Sequence, residues 1–340
     1  MKKNLRNFLT LALGFVTIIA TAQTWDADSR TRVNMSGDND QWDADQRVSL
    51  SASWGGDGWG INVGGNANYN MQADNGDAAV GFNFYEASAS TDLMGWATVS
   101  VGRQALEYGG GQLIGANDWG TNPQTRDGGV FTINNDMMDL DFGVYRSQAD
   151  DATSEMYTDY FVNMSKSDGD WDVNLTYISN DNEDNAMAVD FGYAVSGVDL
   201  SVSYNTATND GIDMDYTSIG GSYNVNDDMS ISATRTAYGE NGFRWDGSNM
   251  SGNWTSHGNM GWLGANDEDM AFGVSYDMGD VSLGLAMHKI TNDANDDRSV
   301  TEANISYSMS DNANVSIKYA TDDVTGNEEK YMWLTLSVTP

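Results

Sequence analysis

The sequence predicts an all-β protein, a transmembrane antiparallel outer-membrane β-barrel of about 18 strands. Apolar and polar residues alternate with period two in short runs throughout the chain after residue 23. The connections between these runs alternate between tight turns and longer acidic loops, which is typical of outer-membrane barrels. Tyr and Trp residues fall near the ends of the runs, where the interfaces of a bilayer would lie. A secreted β-sandwich or propeller, the alternative fold, would not need this regular succession of short and long connections.

The first 22 residues have the pattern of a secretory signal peptide. Three Lys and Arg residues precede an apolar run over residues 8–20, and a small-x-small cleavage site ends at Ala22. The apolar run is too short to cross a bilayer as a helix, which argues against an N-terminal membrane anchor. We therefore expect residues 1–22 to be removed and residues 23–340 to form a single β-barrel domain.

The alternation gives each predicted strand an apolar face and a face of Ser, Asn, Gly, Thr and Asp. In residues 281–288, for example, the apolar set is Val281, Leu283, Leu285 and Met287. The two prolines, Pro123 and Pro340, lie outside the predicted strands, as the hydrogen-bond ladder of a sheet requires. We expect the apolar face to meet lipid and the polar face to line the barrel interior.

Two kinds of connection separate the predicted strands. The tight turns lie at residues 55–58, 90–95, 167–170, 195–197, 226–228, 278–280 and 309–312. The longer, acidic loops lie at residues 36–45, 147–155, 180–185, 291–297 and 321–329. This arrangement places the tight turns at the periplasmic end of the barrel and the longer loops outside the cell.

The charge and the residue types exclude several classes of function. The formal net charge is −34, and removal of the three leader cations makes it −37, so we expect no nucleic-acid partner. The chain has no Cys, and its two histidines are His257 and His288. This set is too small for a metal site, and neither His stands in a recognisable catalytic pattern. We expect no enzyme activity, no metal and no cofactor.

A long glycine-rich interruption, residues 105–126, joins the fifth predicted strand to the sixth at the long-loop end. A loop with several large apolar residues should not stand free in water, so we expect it to fold into the barrel mouth and narrow it. The residues predicted to form this constriction are Tyr108, Leu113, Ile114, Asp118 and Trp119.

The same region resembles the alginate-export family of outer-membrane porins. The matching residues are GRQ at 102–104, Tyr108-Gly109, Leu113-Ile114-Gly115, Asp118-Trp119 and Arg126-Asp127-Gly128. The resemblance implies an 18-stranded barrel that acts as a monomeric passive channel for hydrophilic solutes, and for the family's namesake an anionic polysaccharide. The chain departs from the family at Gln112, where an Arg is frequent.

Strand parity assigns charged residues to the predicted lumen. A basic strip would consist of Arg30, Arg32, Arg47 and Lys318, on strands that meet at the seam between the first and last strands. An acidic wall facing it would consist of Asp139, Asp141, Asp159, Asp172, Asp190 and Asp199. The motif adds Arg103, Arg126 and Asp127 as candidate pore-lining residues, although parity points Arg103 outward, at a bulge or at the rim.

The sequence thus predicts a passive diffusion channel for small hydrophilic solutes in the outer membrane of a Gram-negative bacterium, with some preference for cations. Its expected partners are outer-membrane lipid, lipopolysaccharide, the barrel-assembly machinery and the solutes themselves. One alternative is a plugged structural or adhesive barrel whose acidic loops bind partners. Another is an exporter or importer of an anionic polysaccharide such as alginate. The Trp-bearing loop 239–264 is either a packing element or a surface that stacks on sugar rings.

Overall fold

Eighteen antiparallel strands make up the regular structure of the described residues in the computed structural model. The structure describes residues 24–36, 43–71, 80–116, 123–135, 137–147, 157–181, 183–245, 263–292, 297–324 and 327–339. In chain order the strands are β1 (Thr24–Asn34), β2 (Asp43–Gly56), β3 (Trp59–Asn70), β4 (Val80–Asp92), β5 (Thr98–Gln104), β6 (Arg126–Asn134), β7 (Asp139–Ser147), β8 (Tyr157–Asp168), β9 (Trp171–Asn180), β10 (Asn185–Val195), β11 (Val198–Asn209), β12 (Ile212–Asn226), β13 (Met229–Tyr238), β14 (Asp267–Asp277), β15 (Val281–Asn292), β16 (Arg298–Ser310), β17 (Ala313–Val324) and β18 (Asn327–Val338). These residues include no helix with the length and apolar character needed to cross a membrane.

Pairing between β1 and β18 closes the sheet into a barrel. Ser29 lies opposite Val338 and Asn34 lies opposite Trp333, and each remaining strand pairs with the strands before and after it in sequence. The sheet therefore has no open edge, and neighbouring strands satisfy each other's backbone N–H and C=O groups. The predicted antiparallel barrel of 18 strands is confirmed.

The outer face of the barrel is apolar and exposed. Leu200, Phe272 and Ile305 are 47, 56 and 50 % exposed, although the interior of a water-soluble protein would bury such residues. Polar residues such as Ser201 and Asn304 occupy the alternate positions of the same strands and point inward. This inversion places apolar side chains where a lipid bilayer covers them.

Tight turns join the strands at one end of the barrel, at the positions that the sequence predicts. They lie at residues 57–58, 93–97, 169–170, 196–197, 227–228, 278–280 and 311–312. In one of them both Ser196 and Gly197 have positive φ, 50° and 79°, as a type I′ turn requires. We call this end of the barrel the turn end, and the opposite end the loop end.

The loop end contains more strand than the sequence pattern indicates. The acidic stretch 321–329 has the composition of a loop, yet most of it belongs to β17 and β18. Asp322 fits within a strand because its carboxylate accepts a hydrogen bond from Arg298 at 3.1 Å. Another connection at this end, residues 210–211, is a two-residue turn between β11 and β12. Acidic composition alone therefore does not distinguish loop from strand in this chain.

Buried apolar side chains gather inside the barrel against one part of its wall. They include Leu113, Ile114, Val130, Tyr145, Phe161, Ile178, Ala186 and Ala188. A barrel of this strand number is too wide for its wall side chains alone to fill. Leu113 and Ile114 belong to the connection between β5 and β6, so a loop supplies the missing interior contacts.

A substitution at Gly102 on β5 would probe how closely the backbones of β4 and β5 pack at this position. Its φ of 130° is rarely adopted by residues with a side chain, and a Cβ there would collide with the carbonyl oxygen of Ala87. We expect Gly102→Ala to destabilise the barrel by about 1–3 kcal/mol through backbone strain. Urea titration, with the folded fraction followed by its shift on an unheated SDS gel, measures the change.

Gly129→Ala on β6 is the matched control for Gly102→Ala. A Cβ at Gly129 would meet its nearest neighbours at 3.7 Å, which is ordinary van der Waals contact. This variant should unfold at nearly the urea concentration of the unchanged protein. Equal midpoints for the two variants would contradict the packing described around Gly102.

Candidate functional site

The connection between β5 and β6 folds into the barrel. Leu113 and Ile114 are 1 % and 0 % exposed, and they belong to the same buried cluster as Phe161 and Ile178 on the inner wall. Loop residues can be this buried only if the wall covers them. The structure thus places Tyr108, Leu113 and Ile114 inside the barrel. Asp118 and Trp119, the other two predicted constriction residues, lie outside the described residues.

Hydrogen bonds within the loop give it a compact shape. The Tyr108 N–H donates to the Ile114 carbonyl at 3.1 Å, and the Gly111 N–H donates to the Tyr108 carbonyl at 3.0 Å. The Ala116 N–H donates to the Glu107 carboxylate at 3.2 Å. The loop therefore carries its own turn, and the apolar pair Leu113 and Ile114 lies at its end.

Side chains from the wall hold the loop in place. The Arg126 guanidinium donates to the Gly115 carbonyl at 3.3 Å and lies over the Tyr145 ring at 5.2 Å. The rings of Tyr108 and Phe161 are 5.3 Å apart. These contacts involve β6, β7 and β8, so three successive strands position the loop.

A fourth wall contact explains the glycines of the loop. The Gly110 N–H donates to the Asp190 carboxylate on β10 at 3.4 Å. Gly109 has a φ of 57°, and a Cβ at this position would collide with the same carboxylate. Glycine is therefore needed both for the left-handed backbone and for the close approach to the wall.

The Tyr108 phenol lies beside an acidic group of the wall. Burial raises the pKa of this phenol, and the neighbouring Asp141 carboxylate raises it further. The phenol therefore keeps its proton at neutral pH and can donate a hydrogen bond to Asp141.

The predicted basic residues of the first strands lie together on the inner face. Arg30 lies opposite Arg47 in the pairing of β1 with β2. Arg32 donates to Asp45 at 3.1 Å, and its guanidinium lies 5.6 Å from the centre of the Trp333 ring on β18. The basic residues at this part of the inner wall therefore have carboxylates close by.

Two further contacts complete this part of the inner wall. Arg47 approaches Asp28 at 3.8 Å, and Lys318 on β17 lies near Glu302 on β16, close enough to interact electrostatically. Sequence reasoning missed two carboxylates, although Asp28 shares the parity of Arg30 on β1 and Asp45 shares that of Arg47 on β2. Parity, applied to both signs of charge, could have found them.

The predicted acidic residues occupy the opposite half of the inner wall. Asp172, Asp190 and Asp199 lie on the adjacent strands β9, β10 and β11, around a cavity of about 600 Å³. Gly109 and Gly110 of the loop line the same cavity. The remaining predicted acids, Asp139, Asp141 and Asp159, lie on β7 and β8 with inward parity. The loop and the acidic wall therefore form one surface.

Arg103 and Asp127 differ from the expectation that they line the pore. They lie opposite each other on β5 and β6, on the same face as Val101, which is 58 % exposed. Arg103 donates to the two Asp127 carboxylate oxygens at 2.7 and 2.6 Å. This bidentate ion pair belongs to the outer face because strand parity puts it there. Arg126, one residue before Asp127, points inward.

A histidine cluster on the inner face was not predicted. His288 Nδ1 lies 2.7 Å from an Asp269 carboxylate oxygen, and its Nε2 lies 3.8 Å from Glu302. Its partners lie on the flanking strands β14 and β16, so sequence reasoning could not find them. Within the ranges described above, no group of three or more His, Asp or Glu residues is arranged to hold a metal ion.

Comparison with known protein families shows which family the chain belongs to. The family described as Gram-negative porin matches residues 9–339. The chain belongs to the Gram-negative porin family. This porin is an outer-membrane channel for small solutes. A comparison with curated protein sequences finds no match.

Solved porin structures share the fold. Pseudomonas aeruginosa OccK8 (OprE) is 14 % identical, with a TM-score of 0.73, over 94 % of this chain and 98 % of that one. P. aeruginosa OpdK, crystallised with vanillate, is 13 % identical, with a TM-score of 0.72, over 94 % of this chain and 99 % of that one. At this identity the similarity establishes the barrel architecture.

The predicted membership of the alginate-export family is wrong. The porin match spans residues 9–339, and the similar structures are Pseudomonas OccK and Opd proteins. The misleading motif covers only the loop and its flanks. Its residues have local tasks, such as the left-handed backbone at Gly109 and the bond from Arg126 to Gly115, that any inward-folded loop could require.

Ile114→Asp tests whether apolar packing holds the loop inside the channel. A carboxylate in this buried position loses side-chain packing worth about 2–5 kcal/mol and lacks water around its charge. We expect the loop to leave the wall while the strands stay paired, so that single-channel conductance rises and becomes noisier.

Ala105→Asp is the control for the added charge, because Ala105 is exposed in the same loop. It should leave the conductance close to that of the unchanged porin. If Ile114→Asp also leaves the conductance unchanged in a folded barrel, the loop does not limit the current.

Proposed function

We propose that this porin is a passive diffusion channel for small hydrophilic solutes that prefers cations, with loop 105–126 as its constriction. The observation that carries the charge preference is the cavity beside the loop, whose lining includes Asp170, Asp172, Asp190 and Asp199. No Lys or Arg occurs among the described residues that line it. Carboxylates that line a narrow passage raise the local concentration of cations and lower that of anions.

The ion-paired cations of β1 and β2 oppose this field only weakly. The pairs Arg32–Asp45 and Arg47–Asp28 lie on β1 and β2, which are nine and eight strands around the barrel from β10. An ion pair acts at a distance as a dipole, so its field decays faster than that of a single charge. Screening at physiological salt further limits its reach to about 8 Å. A solute beside the loop therefore meets mainly the acidic wall.

The position of the loop supports its role as the constriction. It extends from its origin between β5 and β6 to Asp190 on β10, and its apolar end packs against wall residues along this path. Backbone in the lumen reduces the open cross-section, and the wall contacts keep the reduction permanent. The proposal includes no catalytic step, metal or cofactor, because diffusion through a fixed passage needs none.

The charge preference distinguishes this porin from a channel suited to carboxylates. OpdK was crystallised with vanillate, which carries a carboxylate. In the present porin such an anion would have to pass Asp172, Asp190 and Asp199. We therefore expect small carboxylates to cross more slowly than cations of similar size.

The triple variant Asp172→Asn, Asp190→Asn, Asp199→Asn tests the acidic wall. It keeps the side-chain shapes and removes three charges, so the ratio of potassium to chloride permeability should fall at least about twofold. The reversal potential across a planar bilayer under a KCl gradient measures this ratio.

Asp57→Asn is the control for the acidic wall, because Asp57 is a turn residue away from the cavity. It should leave the reversal potential unchanged. Chloride preference in the unchanged porin would contradict the proposed selectivity. A pure, folded barrel without current would contradict the channel and support the structural or adhesive alternative.

We also infer that residues 1–22 are a signal peptide and that the mature chain begins at Gln23. N-terminal sequencing of the porin isolated from outer membranes should read Gln-Thr-Trp-Asp. Retention of Met1 or Lys2 in the membrane-inserted protein would contradict this inference.

A further inference from the structure

Another cavity lies on the inner wall at the loop end of the barrel. Its volume is about 720 Å³, within the range of small-molecule sites. It reaches the ends of the strands, because Asn34 is the last residue of β1, Asp43 the first of β2 and Asn70 the last of β3. Loop 105–126 contacts β6, β7, β8 and β10, whereas β1, β2, β3, β4 and β18 line this cavity. It is therefore a separate surface from the acidic wall beside the loop.

Amide side chains are concentrated on the inner face of this cavity. Asn68 lies opposite Arg47 of β2 and opposite Gly81 of β4, so it faces the lumen, and Asn70, two positions further along β3, does too. Each amide has two N–H donors and an acceptor oxygen, so it can bind groups that both donate and accept. We call this surface the amide cavity, and its inward-facing amides are Asn34, Asn68, Asn70 and Asn83.

The charges of the amide cavity are nearly balanced. Arg32 donates to Asp45 at 3.1 Å, so these two charges offset each other. Asp43 adds one exposed carboxylate. The cavity beside the loop differs, since its described lining has four carboxylates and no Lys or Arg. A cation therefore finds the more favourable field at the acidic wall, and the amide cavity suits a neutral molecule.

The amide cavity also offers open space and an apolar surface. A Cβ added at Gly81 would meet no neighbouring atom within 4 Å, so the space above this position is open. Trp333 of β18 lines the cavity, and the Arg32 guanidinium lies 5.6 Å from the centre of its ring. A bound molecule can therefore pack C–H groups against the indole while its polar groups reach the amides.

We propose that the amide cavity binds the ring of a neutral sugar. Sugar hydroxyls both donate and accept hydrogen bonds, as the amides do, and the Asp43 carboxylate is a strong acceptor for a hydroxyl. The C–H groups of the ring match the apolar surface of Trp333. Neighbouring strands are about 4.8 Å apart and same-face residues of one strand about 7 Å apart, so the amides can reach different hydroxyls of one ring. The proposal rests on the proposed function only in that the passage is open to solutes.

Block of the single-channel potassium current by glucose tests this site. A sugar held in the passage interrupts the current, so the block should saturate as the glucose concentration rises. Sorbitol has similar hydroxyls but no ring, and it should need a concentration at least about tenfold higher for the same block. Alanine, a small zwitterion, should block less than glucose at equal concentration.

Variants of the amide cavity locate the block. Gly81→Leu fills the open space with a side chain and should weaken the block by glucose at least about tenfold. Asn83→Ala removes one amide without adding volume and should also weaken it, so the test survives if Gly81→Leu does not fold. Asn304→Ala is the control, because it removes an inward amide of β16 that lines a different cavity. It should leave the block unchanged.

Three outcomes would overturn the sugar site: undiminished block in the folded Gly81→Leu porin, equal block by glucose and sorbitol, or stronger block by alanine than by glucose. A folded barrel without current would contradict the channel instead, and titration calorimetry of glucose with the full-length porin in detergent would then test the site alone. The reversal potential should be the same in Gly81→Leu, Asn83→Ala and the unchanged porin, which separates this test from that of cation preference.

Discussion

The structure depends on one constraint, that backbone polar groups crossing a bilayer must be paired within the protein. Pairing of β1 with β18 meets it by removing the last two edges of the sheet. Closure of 18 strands has a second effect, because it encloses a space that the wall side chains cannot fill. The inward loop and the charged inner face both occupy that space. The channel is thus a result of how the strands close, and its properties are set by what is placed inside.

Much of the fold could be read from the sequence, because period-two alternation and turn residues are local signals. Alternation alone assigns Asp190 to the inner face and Leu200 to the outer one. Pairing between strands is not local, so the partners of His288, which lie on β14 and β16, could not be read from the chain. Arg103 shows which local signal to prefer. Its strand parity pointed outward, as the structure has it, whereas the short motif suggested that it lines the lumen.

The contact between the loop and the wall shows why the remainder of the site was hidden. Gly110 and Asp190 are 80 residues apart in sequence, and their hydrogen bond exists only because the loop crosses the lumen to β10. The glycines at 109–111 signalled an unusual backbone, but not the carboxylate that makes a side chain impossible there. The same local requirements led to the wrong family, while the match over residues 9–339 reflects the barrel as a whole.

Attachment of the loop to the wall by side chains has a consequence for how such proteins diversify. Barrel assembly depends on strand pairing, whereas Gln112 of the loop lines the cavity and takes no part in that pairing. We therefore expect a substitution at Gln112 to change the lining of the cavity and to leave the strand pairing that closes the barrel intact. One barrel scaffold can therefore accept changes in its inner lining one residue at a time.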